Sequence, residues 1–66
     1  MEIILNGEPH KLNTVCNVSD LIASLALQGK GVAVAINREI VPRGTWSTRV
    51  LATGEQVEIV KAIGGG

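Results

Sequence analysis

The segment best placed to do chemistry is the end of the chain, Ile63-Gly64-Gly65-Gly66. Glycines cost the most conformational entropy to order and bring no side chain to pack. In an arbitrary protein such an end is idle. Here it follows directly on the β-rich stretch Gln56-Val57-Glu58-Ile59-Val60-Lys61, with no linker composition between. Three residues reach at most about 10 Å, enough to carry a terminal carboxylate clear of a folded body and into a narrow channel. The reactive group would then be the α-carboxylate of Gly66, with Gly65 and Gly64 as the thread that delivers it. A free carboxylate is a poor electrophile. It must first be activated, most simply as a mixed anhydride with AMP, before sulfur or nitrogen can displace the leaving group. Neither Gly-x-x-x-x-Gly-Lys-Ser/Thr nor Gly-x-Gly-x-x-Gly occurs in the sequence, so the nucleotide chemistry is expected from a partner.

The other reactive side chains are few. Cys16 is the single cysteine, which excludes an internal disulfide and any zinc site built on paired cysteines. It reads as a small, partly buried hydrophobe in the loop before a helix rather than as a sulfur relay. His10, between Pro9 and Lys11, has no second ligand or orienting carboxylate at a useful spacing and reads as solvated. Ser19, Asp20 and His10 are the one triad-like set, and the first two are already needed to start a helix. Trp46 suits a lid on the core better than a partner contact, and Arg43 reads as a solvated loop charge. No acid, base and nucleophile converge, so the chain is expected not to be an enzyme.

Composition narrows the classes further. The 66 residues carry six Lys plus Arg and six Asp plus Glu, for a formal charge of zero. That leaves no electrostatic footprint for nucleic acid, and one aromatic ring makes no stacking platform. No apolar stretch approaches the roughly 20 residues of a membrane span. The opening Met1-Glu2-Ile3-Ile4-Leu5 lacks the basic region of a secretory leader. A soluble, cytoplasmic, single-domain protein is expected, with no nucleic acid or membrane partner. The hydrophobic content is 45%, almost wholly aliphatic, without Phe or Tyr. A core of Val, Ile, Leu and Ala must close a domain small enough to bury only roughly 60% of its unfolded surface.

The elements that would position the tail can be read from pattern. Met1–Leu5 is a strand, Asn6-Gly7 a type I′ hairpin signal, and Glu8–Leu12 the return strand, placed at an edge by Pro9. Val18, Leu21, Ile22 and Leu25 then make one helical stripe, with Asn17 as N-cap and Asp20 at the third position. Gly29 and Gly31 end a helix predicted over 18–27. Val32–Ile36 is a short apolar strand, Asn37-Arg38 turns it into Glu39–Val41, and Gly44–Leu51 is a loop with one helical turn. Gln56–Lys61 is the last strand. One helix crossing a mixed sheet of four to five strands would cover Ile3, Leu5, Val34, Ile36, Val57 and Ile59 together. This α+β order is that of the β-grasp fold. If Val57 and Ile59 face the helix, Val60 lies on the open face. Ile4, Val60 and Ile63 are then candidates for partner docking.

The residues also carry a resemblance. The Gly65-Gly66 end, the β-grasp order and the length are similar to the ubiquitin-like sulfur carriers. The segment Ala33-Val34-Ala35-Ile36-Asn37-Arg38-Glu39-Ile40-Val41-Pro42-Arg43, followed by Trp46, resembles the thiamine-biosynthesis (ThiS) branch of that family. Ile3-Ile4-Leu5-Asn6-Gly7 and Val18-Ser19-Asp20-Leu21-Ile22 are similar to it as well. The resemblance covers the whole chain and implies a β-grasp domain over 1–63 with a glycine tail over 64–66. It implies that Gly66 is adenylated by a ThiF-type activating enzyme using ATP and magnesium, the carrier itself binding no cofactor. Sulfur from a source such as a cysteine desulfurase would make the C-terminal thiocarboxylate, which a thiazole synthase of the ThiG type would consume. Gly65 and Gly64 would be the tail that activation requires, and Gly64 departs from the Ala common at that position. Two other uses of an activated glycine end stay open at this point: sulfur transfer in another pathway such as molybdopterin synthesis, and ubiquitin-like attachment to lysine.

Overall fold

The computed structural model describes residues 1–61. Five strands and one α-helix follow in the predicted order: β1 (Glu2–Leu5), β2 (Glu8–Lys11), α1 (Val18–Ser24), β3 (Val32–Ile36), β4 (Glu39–Ile40) and β5 (Gln56–Lys61), with a 3-10 turn at Arg43–Thr45. The sheet order is β2-β1-β5-β3-β4. β1 and β5 run parallel and every other pair is antiparallel. This is the mixed β-grasp sheet, with β5 in its middle.

Both hairpins close through asparagine-led turns. Asn6 and Gly7 have φ of 50° and 85°, and Asn37 and Arg38 have 51° and 70°. A type I′ turn requires positive φ at both central residues, and asparagine tolerates that region better than most. Pro9 sits opposite Ile4 on edge strand β2. Leu12 donates to the Met1 carbonyl at 2.8 Å. By antiparallel alternation Ile4 and Pro9 form a non-hydrogen-bonded pair, so the missing proline N–H breaks no rung.

The helix begins as the sequence predicts, and more completely. Asn17 Oδ1 accepts from the Asp20 N–H at 2.8 Å, and Asp20 Oδ2 accepts from the Asn17 N–H at 3.2 Å, a full capping box. Its end differs. The predicted span 18–27 stops at Ser24, and the stop is Ala26 at φ 57° rather than a glycine. The Leu27 N–H bonds the Ile22 carbonyl and the Ala26 N–H bonds the Ala23 carbonyl, each at 3.0 Å. That pair of bonds is a Schellman motif. Gly29 and Gly31, at φ 71° and 65°, serve the following turn into β3 instead.

The core centres on Ile3, Val18, Leu21, Val34 and Val57, all essentially inaccessible, with Ile22, Val32 and Ile36 around them. Leu5 and Ile59, expected beneath the helix, are only partly buried against this cluster. Seven helical residues span about 10 Å, too short to roof both ends of the sheet. The loop after β4 supplies the remaining cover through Val41, Trp46 and Leu51. The buried Trp46 indole N–H donates to the Val41 carbonyl at 3.0 Å, so its polar atom is satisfied.

Opposite the β5 terminus, Glu55 staples the last loop. Its carboxylate accepts from Arg49 Nη2 and from the Ala52 N–H, both at 2.7 Å. Burial pushes its pKa up, but those hydrogen bonds and the Arg49 charge together hold it below the usual glutamate range.

Candidate functional site

The predicted reactive segment, Gly64, Gly65 and Gly66, lies outside the described residues, as does the candidate docking residue Ile63. What the structure describes is the platform that leads to it. β5 is held on both flanks, parallel to β1 through Ile4↔Gln56 and Leu5↔Val57, and antiparallel to β3 from Val57↔Ile36 to Lys61↔Val32.

Two asparagines complete this platform, and sequence reasoning saw them only as turn residues. Asn37 Oδ1 accepts from the Gln56 N–H at 3.1 Å, and Asn6 Oδ1 accepts from the Ile59 N–H at 2.9 Å. Because β1 ends at Leu5, the Asn6 side chain supplies the acceptor that a longer β1 would have offered. Each hairpin turn thus clamps β5, one at its start and one beyond its midpoint. A strand that presents a reactive terminus gains from such fixing, since the anchor sets where the tail begins. The signal in the sequence was Asn-first turns at both hairpins, but the bonds to β5 exist only once the sheet order is known.

Strand parity puts Ile4, Glu58 and Val60 on the face away from the helix. Ile4 is half-buried and paired with Pro9 and Gln56. Val60 is 61% exposed. Across from it stand Ala33 and Ala35, and Ala35 is paired with Ile40. The two alanines leave a shallow hollow of about 150 Å³ bordered by Ile40, Glu58 and Val60. Ile40, 72% exposed, is the docking candidate that sequence reasoning missed. The two-residue Asn37-Arg38 turn fixes its register and so its face. Together Ala33, Ala35, Ile40 and Val60 make an apolar patch on this face.

The remaining candidates resolve as follows. Cys16 is half-buried, and burial first, then the Asp20 charge, pushes its thiol pKa up. That keeps it protonated, the wrong state for a nucleophile. Asp20 is occupied in the capping box, and His10 is half-buried on β2 across from Ile3. Among the described residues no three His, Cys, Asp or Glu side chains come together as a metal site. Arg43 is exposed, as expected of a loop charge, but it also makes contacts. Its guanidinium lies 5.2 Å from the Trp46 ring centroid and Nη2 donates to the Val32 carbonyl at 3.3 Å. The 3-10 turn after Pro42 brings it back over the tryptophan. No helix among the described residues is long and apolar enough to cross a membrane.

The comparisons with known proteins agree with this architecture. The sulfur carrier protein ThiS of Escherichia coli is 32% identical over 66 residues, the whole of both chains. Thiazole synthases of Magnetococcus marinus and Paramagnetospirillum magneticum are 41% and 35% identical over 66 residues. This chain spans only 20% of the length of each of those two relatives. A crystal structure of the thiamine biosynthesis protein ThiS from Geobacter metallireducens superposes with a TM-score of 0.87 at 29% identity, covering all of both chains. A solution structure of a thiamine biosynthesis protein from the same organism gives 0.81 at 29% identity, covering 100% of this chain and 88% of that one. The family model described as the ThiS family matches residues 3–66, and with that match the chain belongs to the ThiS family.

Proposed function

We propose that this chain is a protein-bound sulfur donor for thiazole formation in thiamine biosynthesis, and not itself a catalyst. The observation that carries the reading is the match of the whole chain, through Gly66, to the Escherichia coli sulfur carrier, together with a clamped central strand leading to the glycine end. A ThiF-type enzyme would bind ATP and magnesium and join the Gly66 carboxylate to the α-phosphorus, releasing pyrophosphate. The terminal sulfur of a persulfide, formed from cysteine by a desulfurase, then attacks the acyl carbon as AMP departs, and a thiol reductant cleaves the S–S bond of the resulting acyl disulfide. The thiocarboxylate that results is a soft nucleophile, charged at neutral pH and tethered to its carrier. A thiazole synthase is its consumer, in keeping with the thiazole synthases that contain a stretch similar to this chain.

The role of the fold is delivery. Gly64 and Gly65 have no Cβ and can pass a narrow channel to the partner's active site. Ile4, Val60 and Ile40 would seat the open sheet face on the activating enzyme, with Ile63, outside the described residues, as a further docking candidate. The test is intact mass before and after incubation with ATP, magnesium, sulfide and a ThiF-type enzyme. The expected result is the gain of one oxygen-to-sulfur exchange, localised to Gly66. No gain with an enzyme that thiocarboxylates the Escherichia coli carrier in parallel would refute the reading.

A further inference from the structure

A second surface lies on the helix side of the sheet, beside the end of β5. A groove of about 230 Å³ opens between the helix terminus and the 3-10 turn, with an apolar floor of Ile22, Leu27, Val32 and Trp46. Its volume falls below the 300 Å³ or so of small-molecule pockets, and suits one large side chain of a protein partner. The Schellman turn at Ala26 forms one wall, since Leu27 and Ile22 are both its hydrogen-bonding ends and lining residues. Beyond Val41, whose N–H bonds Val34, β3 has no strand on its outer side, and Arg43 meets the Val32 carbonyl there.

The charged residue that lines this groove is a cation, two more cations stand beside it, and Asp20, next to the lining Ser19, is taken up in the capping box. Arg43 lines it, Lys30 stands between the lining residues Gly29 and Gly31, and Lys61 is paired with Val32. None of the described lining residues is a carboxylate. Half of the six Lys and Arg residues of a neutral chain therefore gather at the end of the sheet from which the tail continues.

We propose that this groove docks an acidic segment of the thiazole synthase, one that places an apolar side chain over Trp46 and carboxylates against the surrounding cations. The choice of partner rests on the function proposed above. The occupant's chemistry rests on the groove itself: an apolar floor selects the anchor, and Arg43 on the rim with Lys30 and Lys61 beside it selects the charge. An enzyme that draws the Gly66 end into its active site must pass this end of the sheet, so contact here orients the tail as it enters.

The test is a titration of the full-length, 15N-labelled chain with unlabelled thiazole synthase from the same organism. The chain has one Trp, so its indole N–H gives a single reporter inside the groove. Expected are shifts of that resonance and of the Gly29–Val32 amides, and an affinity at least tenfold weaker for Lys30→Glu/Lys61→Glu at low ionic strength. The gap should close as salt is added. Both lysines are exposed, so the double variant keeps the groove floor, and the wild-type titration stands independently of it. Groove resonances that stay still while Ile40 and Val60 shift would overturn the groove and leave the carrier reading intact. An unchanged affinity for the double variant would likewise overturn it, and no binding at all would overturn groove and partner together.

Discussion

Ala26→Gly should make this protein more stable, although it removes a methyl group from a helix terminus. Ala26 stands at φ 57°, the C′ position of the Schellman motif. An L-residue in that region is strained by about 1–2 kcal/mol. Glycine relieves the strain but widens the unfolded ensemble, which takes back about 0.5–1 kcal/mol. Ala26 is exposed, so its methyl contributes little burial. The net expectation is a gain of about 0.5–1 kcal/mol, or a Tm higher by about 2–8 °C for a domain of this size. Gly29→Ala is the matching control. Its φ is 71° and a methyl built there meets nothing within 4 Å, so any cost is torsional and the sign reverses. Urea unfolding followed by Trp46 fluorescence reads both, with unchanged m-values confirming that the folded and unfolded states keep their compactness. A lower midpoint for Ala26→Gly, or shifts of the same sign in both variants, would refute the torsional argument.

Asn6→Gly keeps the positive-φ turn while deleting the acceptor for the Ile59 N–H, so amide exchange at Ile59 should speed up by about fivefold or more, the worth of a hydrogen bond of about 1 kcal/mol; unchanged exchange would mean the clamp is idle. Glu55→Gln tests the loop staple by pH. Because the folded pKa of Glu55 is lowered, its contribution is present above the unfolded value of about 4.3 and is lost as pH falls through the folded one. The variant should therefore show a shallower loss of urea midpoint in that acidic range, and the effect should be modest because Arg49 is more than a third exposed. Val60→Asp, on an exposed position, should leave the unfolding free energy within about 0.5 kcal/mol of wild type yet weaken binding to the activating enzyme at least tenfold by surface plasmon resonance. Deleting Gly66 should abolish the sulfur-dependent mass gain while the circular dichroism spectrum stays that of the intact chain.

The order of elements was legible because each has a local cause. Asn6-Gly7 writes its own turn, the stripe Val18, Leu21, Ile22 writes a helix, and alternation writes β5. The end of α1 was misplaced because glycine is the expected stop and two glycines stood nearby. Ala26 instead takes the strained position, and what holds it there is tertiary: Leu27 and Ile22 pack at the core margin, a gain that no propensity scale contains. Leu5 and Ile59 were assigned to the deep core by parity alone, and parity gives a face without saying how far the helix reaches along it.

The site was legible in one dimension and hidden in three. A glycine end announces itself in any reading of the sequence, whereas Ile40 became a neighbour of Ala35 and Val60 only through a sheet in which β5 sits between β1 and β3. Charge shows the same limit more sharply. Six cations and six anions sum to zero, and zero argued against an electrostatic role. Yet at the start of β5 the acids stand beside cations, Glu2 across from Lys11 and Glu55 on Arg49, whereas Lys30, Arg43 and Lys61 gather at the other end. The sum vanishes while this local excess persists. An excess of one sign at one end orients an approaching partner even when the net charge gives no attraction at long range. Orientation is what a carrier with its reactive group at one end needs, because an encounter at the wrong end transfers nothing. It follows that moving one charge, as in Lys61→Glu, should change the salt dependence of the association rate more than it changes the rate of the chemical step once the tail is seated.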